Sequence, residues 1–310
     1  MTERLDAQLT NPRSERVRRV AGLSRRSARS RHGQFLVEGP QGVREAVRHA
    51  AAQVRDVYLT PAAGRRYPEI AGEARAAGLY VHTGTAEVLA AMSADAQGVL
   101  AVLDSAGSTT SATLADLADL RGGAGPRLVA VLAQANDPGN AGTVIRAADA
   151  AGADAVVLAA GSVEVLNPKV VRSTAGSLFH LPVVSGPALE ETLAALRAAA
   201  ARPAVLAADG SGEWDLDELQ DRAHTGALGA LTGWDDELAA TSLVAPDLAA
   251  PTVWLFGNEA HGLDDAQRRA CDAVVRVPVH GRAESLNLAM AATLCLYASA
   301  RAQRRQTGRG

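Results

Sequence analysis

Leu128-Val129-Ala130-Val131-Leu132-Ala133 runs into Asn136-Asp137-Pro138-Gly139-Asn140-Ala141-Gly142, and Arg146 follows six residues after Asn140. An apolar run without polar alternation reads as a strand buried on both faces, as in a parallel sheet. The polar, Gly-containing stretch behind it reads as a loop that opens a helix. The same grammar recurs twice. Val253-Trp254-Leu255-Phe256 enters Gly257-Asn258-Glu259-Ala260-His261-Gly262-Leu263, and Val277-Pro278-Val279-His280-Gly281 is followed by Ser285-Leu286-Asn287. In open α/β sheets, loops at the carboxyl ends of strands are where ligands bind. Three such loops point to one composite site.

Outward from these stretches, buried strands are expected at 128–133, 155–159, 181–184, 203–207, 252–256 and 274–278. Helices are expected near 141–151, 168–175, 187–200, 264–271 and 286–302. The alternation is that of a doubly wound α/β domain, here 127–304, with an acidic surface excursion at 209–250 and a tail at 305–310. Small and polar residues at 105–126 mark a linker. Before it, 32–104 reads as a small α/β unit, with strands at 35–39, 54–59, 79–82 and 98–103 and helices at 40–51 and 68–77. Residues 1–31 read as a basic, flexible arm, disordered to about residue 12, in which 13–29 could form an Arg-rich helix or arm.

The 310 residues suffice for two domains, and 47% hydrophobic content supplies their cores. A net charge of -3 argues against a generic nucleic-acid binder, but the charge is unevenly spread. Between Arg13 and Arg31 lie eight arginines and one acid, Glu15; between Asp209 and Asp247 lie ten acids and one arginine, Arg222. A basic N-terminal end points to a polyanionic partner. Cys271 and Cys295 form no CxxC pair and no ligand cluster, and His261 has no ligand at metal spacing, so no metal centre is expected. No apolar signal core or membrane-length run appears, and a cytoplasmic protein is expected.

Taken singly, each loop residue has an ordinary explanation. Asn140 can cap a helix starting at Ala141, Glu259 can neutralise a helix N-terminus, and Ser285 can cap a helix starting at Leu286. A site reading gives Arg146 a phosphate, which its planar fork suits, and lets Glu259 steer a polar substrate or pair with Arg146. GxGxxG and Walker sequences are missing, which argues against a nucleotide-dependent oxidoreductase.

Together and in this order, the three segments resemble the SpoU/TrmH family of RNA ribose 2′-O-methyltransferases, within the SPOUT superfamily. Asn167-Pro168-Lys169-Val170-Val171-Arg172-Ser173-Thr174-Ala175-Gly176 is also similar to the family. More loosely, Phe35-Leu36-Val37-Glu38-Gly39 and Gln97-Gly98-Val99-Leu100-Ala101-Val102 resemble the family's ribosomal-protein-L30-like RNA-binding domain. The resemblance implies a parallel-sheet SPOUT domain with a deep trefoil knot, a homodimer formed through it, and S-adenosyl-L-methionine as cofactor. It implies Arg146 as the catalytic residue, with Asn140, Glu259, Ser285 and Asn287 around the ribose. Leu255, Gly257, Val277, Leu286 and Asn287 would contact the cofactor. Arg25, Arg26, Arg29, Arg31 and Arg172 would meet RNA, expected to be 23S ribosomal RNA. A transfer-RNA enzyme, or a non-catalytic RNA-binding or ribosome-assembly factor on the same scaffold, stands as the alternative.

Overall fold

The structure, a computed structural model, describes residues 8–107, 109–232 and 245–306. Part of the expected N-terminal disorder (1–7), part of the acidic excursion (233–244) and the end of the tail (307–310) lie outside the described residues. The chain divides into two compact units: Met1–Ser111 with Glu164–Pro182, and Ala112–Val163 with Val183–Gly310.

The first unit opens with α1 (Glu15–Gly22) and α2 (Arg26–His32), so residues 13–29 take the helical of their two expected forms rather than that of a flexible arm. Ser14 caps α1 by accepting the Val17 N–H. Val17, Val20 and Leu23 turn inward and join Leu36, Tyr58, Leu89 and Leu100 in a core cluster. The arginines hide this pattern: three apolar residues at three-residue spacing are enough to dock a short helix. Then follow β1 (Gln34–Glu38), α3 (Pro40–His49), β2 (Val54–Leu59), α4 (Pro61–Arg66), α5 (Pro68–Ala76), β3 (Tyr80–Thr83), α6 (Ala86–Met92) and β4 (Val99–Asp104). Their sheet has the order β1-β4-β2-β3. The two segments with the looser resemblance are neighbours in it, with Val37 opposite Ala101 and Glu38 opposite Leu100.

The second unit begins inside the expected linker. α7 (Leu114–Ala118) is closed by a capping box between Thr113 and Asp116, and it buries Leu117. Next come β5 (Leu128–Leu132), α8 (Pro138–Ala151) and β6 (Ala155–Leu158). The chain then returns to the first unit with Glu164–Pro182, which carries α9 (Pro168–Ser173). There α9 packs on β1 and buries Val170 and Val171. The sequence pattern assigns this segment to the second domain, because a short helix's long-range partner leaves no trace in its own residues.

The second unit resumes with β7 (Val183–Ser185), α10 (Leu189–Ala198), β8 (Ala204–Ala208), β9 (Trp214–Asp215), α11 (Leu216–Thr232), β10 (Thr252–Phe256), α12 (Asp265–Arg269), β11 (Ala273–Arg276) and α13 (Leu288–Gln306). Among the described residues the sheet has seven strands in the order β7-β6-β5-β10-β8-β11-β9, and every pairing is parallel. The first part of the acidic stretch is therefore no excursion: β9 extends the sheet beside β11, and α11 packs on α13. α13 also packs on α8 and across β10. There the buried Trp254 Nε1 donates to Ser299 Oγ at 2.9 Å, giving the indole its one required partner. Among the described residues, no helix is long and apolar enough to cross a membrane.

Candidate functional site

β5 and β10 lie side by side at the centre of the sheet. From β5 the chain winds outward through β6 to β7, whereas β8, β11 and β9 lie on the far side of β10. This reversal is the topological switch point, where an open sheet leaves a crevice at its carboxyl edge.

The loop after β10 is shaped by its own backbone. Asn258 and Gly262 exchange hydrogen bonds at 3.0 and 2.9 Å. A Cβ on Gly257 would lie 2.3–2.6 Å from the backbone of Gly262 and Leu263, so no side chain fits there without moving main chain. Asn258 Nδ2 donates to the Gln134 carbonyl at 2.8 Å, tying this loop to the one after β5. Glu259 strengthens the tie. Its carboxylate accepts the N–H groups of Asn136 at 3.1 Å and Asp137 at 3.2 Å, and the Asn140 amide at 3.4 Å. Asn140 Oδ1 in turn accepts from Asn287 Nδ2 at 3.0 Å. One residue from each loop thus enters a single hydrogen-bonded chain, Glu259–Asn140–Asn287.

Two caps differ from expectation; the first frees the Asn140 side chain for this network, and the second makes Asn287 cap with one end of its amide and bond to Asn140 with the other. Asp137, not Asn140, caps α8 by accepting the Asn140 N–H at 2.7 Å, and the helix starts at Pro138. Proline at the first helical position is the signal that places this start. Asn287, not Ser285, caps α13: its Oδ1 accepts from Ala289 N at 2.9 Å. Ser285 and Leu286 therefore precede the helix, exposed to solvent. Asp137 and Asn258 are site residues that their sequence context does not single out.

Arg146 stands on α8 along the ridge Asn140, Thr143, Arg146, whose three-residue spacing keeps all three off the core. It is exposed, and among the described residues it has no hydrogen-bond or ion-pair partner, Glu259 included. Leu255 is fully buried, and its side chain belongs to the sheet core, so only its main chain could reach a ligand. Val277 lines a cavity of about 740 Å³ with Pro278, Leu216, Leu294 and Tyr297, a volume suited to a small molecule. Gly257 and Leu286 do not line it. Both cysteines are free, and burial pushes the Cys271 thiol up to about 12 and raises that of Cys295 as well, so neither offers a thiolate.

The arginines expected at RNA divide into two groups. Arg25, Arg26 and Arg31 are exposed. Arg29 is buried; it forks onto Glu164 at 3.0 and 2.5 Å and donates to the carbonyls of Leu23 and Ser24. Arg172 is held by Glu38 at 2.5 Å and Asp95 at 2.8 Å. Arg29 is committed to holding the Glu164 segment, and Arg172 to Glu38 beneath α9.

The model of the SpoU rRNA Methylase family matches residues 127–297, the stretch that contains all three loops. The chain belongs to this family. An MRM3-like substrate binding domain model matches residues 14–101. Among curated relatives of this SpoU member, the 23S rRNA (uridine(2479)-2′-O)-methyltransferase of Streptomyces viridochromogenes is 37% identical over 53% of the chain and 49% of that protein. The 23S rRNA (guanosine-2′-O-)-methyltransferase RlmB of Bordetella pertussis is 29% identical over 86% of the chain and 96% of the relative. The solved SpoU methyltransferase AviRb of Streptomyces viridochromogenes, in complex with the cofactor AdoMet, aligns with a TM-score of 0.72 at 29% identity, covering 96% of this chain and 100% of that one.

Proposed function

We infer that this chain transfers a methyl group from S-adenosyl-L-methionine to a ribose 2′-hydroxyl of 23S ribosomal RNA. The observation that carries the reading is the hydrogen-bonded chain Glu259–Asn140–Asn287, which joins three loops distant in sequence at the sheet's switch point. The relatives' activities on 23S ribosomal RNA support the choice of ribosomal over transfer RNA.

The loops fit a ligand gripped mainly by main-chain groups. Gly257 leaves no side chain over the loop after β10, and Leu286 and Val279 keep apolar surface in the open. Gly257, Val277 and Leu286 would hold S-adenosyl-L-methionine, which supplies an already activated methyl group. What remains for the protein is positioning, worth roughly 7–11 kcal/mol in favourable systems, and stabilisation of the charge that develops on the ribose oxygen. Glu259 and Asn287 fix the Asn140 side chain, which lies on the same ridge of α8 as Arg146. Arg146 presents a planar guanidinium fork that suits phosphate. Unpaired and exposed, it binds the neighbouring phosphate and stabilises the developing 2′-alkoxide. Ser285, exposed two residues before Asn287, contacts the ribose.

Two further features belong to this proposal. Met290, Leu294 and Tyr297 recur every three or four residues and are 47–64% exposed, an apolar stripe along α13 suited to a second copy of the chain. The family's trefoil knot is supported by the route of the chain. The Asp209–Gly212 turn presses on the β11 backbone, where a Cβ on Gly212 would lie 2.6–2.8 Å from Val274–Arg276 atoms. α13 then lies against α8, two strands beyond β8. We place the activity in the cytoplasm.

The test is a map of 2′-O-methyl sites in total RNA, with and without the protein, read as resistance to alkaline cleavage. One new protected nucleotide in 23S RNA is expected. Labelling of transfer RNA alone would move the substrate, and no methyl incorporation would leave the non-catalytic reading.

RNA recognition has its own expected outcome. Deleting residues 1–31 would remove Val17, Val20 and Leu23 from the core and would report on folding. Changing Arg25, Arg26 and Arg31 together to alanine instead leaves the core intact. RNA affinity should fall, and the salt slope should flatten by roughly 0.7–0.9 for each phosphate that is no longer neutralised. An unchanged slope in a filter-binding titration would remove this face from the RNA interface.

A further inference from the structure

Three side chains that play no part in the proposed chemistry meet on the first unit. Glu45 and His49 sit one helical turn apart on α3, and His180 follows the short 3-10 turn Ser177–Phe179, 135 residues from Glu45. Their ligand atoms all lie within 4.8 Å of one another. Glu45 Oε2 is 3.4 Å from His49 Nε2 and 3.3 Å from His180 Nε2.

Those separations are long for charge-assisted hydrogen bonds, which settle at about 2.7–2.9 Å. They are the distances between neighbouring ligands of a tetrahedral ion: bonds of about 2.0–2.2 Å set ligand atoms about 3.4 Å apart. The two imidazoles stand edge to face, 4.7 Å between centroids at 71°, so each turns a ring nitrogen to the same carboxylate oxygen. One cation among the three satisfies both imidazoles and the carboxylate.

The surroundings hold the carboxylate in place. Gln41 Nε2 lies 3.5 Å from the other oxygen, Oε1. A Cβ on Gly176, whose φ is +103°, would come within 2.4 Å of Glu45 Cγ, so only glycine leaves room for the Glu45 stem. His49 ends α3, and a cation at the carboxyl end of a helix meets the favourable end of its dipole.

We propose that Glu45, His49 and His180 bind a divalent transition-metal ion of the zinc class, with solvent as the remaining ligand. Two imidazoles and one carboxylate are borderline ligands that suit zinc rather than calcium or magnesium. The ion clamps the returning segment Glu164–Pro182 onto α3, a structural role independent of methyl transfer. Ligands so far apart in sequence have no short-range spacing, which is why the sequence led to no expectation of a metal.

The experiment uses the full chain, stripped with a chelator and dialysed. Titration with Co²⁺ should give the visible absorption of a tetrahedral site, saturating at one ion per chain. Zn²⁺ should displace it and raise the thermal midpoint of the wild type. His49→Asn, a change at a half-exposed position, and His180→Asn should each abolish the cobalt spectrum while circular dichroism stays native. Gly176→Ala should weaken binding with every donor intact. No saturable cobalt or zinc binding by the wild type would overturn the proposal. So would binding that survives unchanged in His49→Asn and His180→Asn.

Discussion

With Arg146 replaced by alanine, methyl transfer falls by about 10²–10³-fold or more, the range for removing a group that stabilises developing charge, while S-adenosyl-L-methionine affinity stays near wild type. The residue is exposed on α8 and holds no partner among the described residues, so its loss removes no packing and no ion pair. The folded state should be as stable as before, which separates a chemical defect from a structural one. Arg146→Lys should recover only part of the rate, because an ammonium keeps the charge but lacks the planar fork for phosphate. Single-turnover transfer with labelled cofactor, beside calorimetric cofactor binding, makes the comparison. Retained turnover in Arg146→Ala would remove the guanidinium from the mechanism.

Leu294→Asp is the second large effect. Leu294 is 47% exposed in the middle of the α13 stripe, so the isolated chain tolerates the change. In a two-fold dimer the same side chain is buried twice. Burial of a fully exposed leucine is worth about 1.5–3 kcal/mol, and about half of that remains to be gained at Leu294. Losing two copies costs roughly 1.5–3 kcal/mol, which weakens the dimer by about 10–10²-fold. Sedimentation should show a monomer at concentrations where the wild type is a dimer, with methyl transfer falling in parallel. A Leu294→Asp protein that sediments like the wild type would show that this face is not the interface. Arg146 and Leu294 test different claims: the first leaves assembly intact, and the second is read by sedimentation, because Leu294 also lines the cavity beside Val277.

Much of the sheet was legible because its strands are buried on both faces. Leu128–Leu132 and Thr252–Phe256 admit no polar residue except the buried Thr252, and they register with each other residue for residue. The helix starts were less legible, for a physical reason. Asp137 and Asn140, like Ser285 and Asn287, are all residues able to cap, and only the fold selects one. Those selections decide the site: they free Asn140 to bridge Glu259 and Asn287. The role of Glu259 could not be read locally, because the N–H groups that it accepts belong to residues over 120 positions away. The two-residue strand Trp214–Asp215 is too short to show any periodicity. The arginine-rich N-terminus misled in the opposite direction. Its charge concealed three core residues, and one of its arginines is buried against Glu164.

The return of Glu164–Pro182 to the first unit has a consequence for how the chain is made. β1 needs α9 across it, and Arg29 needs Glu164, yet both partners are translated after β5 and β6. Domains commonly fold in order as they leave the ribosome. Here the amino-terminal body cannot close until residue 182 has emerged, by which time the first strands of the other sheet are already outside. The order of synthesis is therefore not the order of completion, and a fragment ending at Ser111 would leave the ribosome with its outer strand uncovered and a buried cation unpaired.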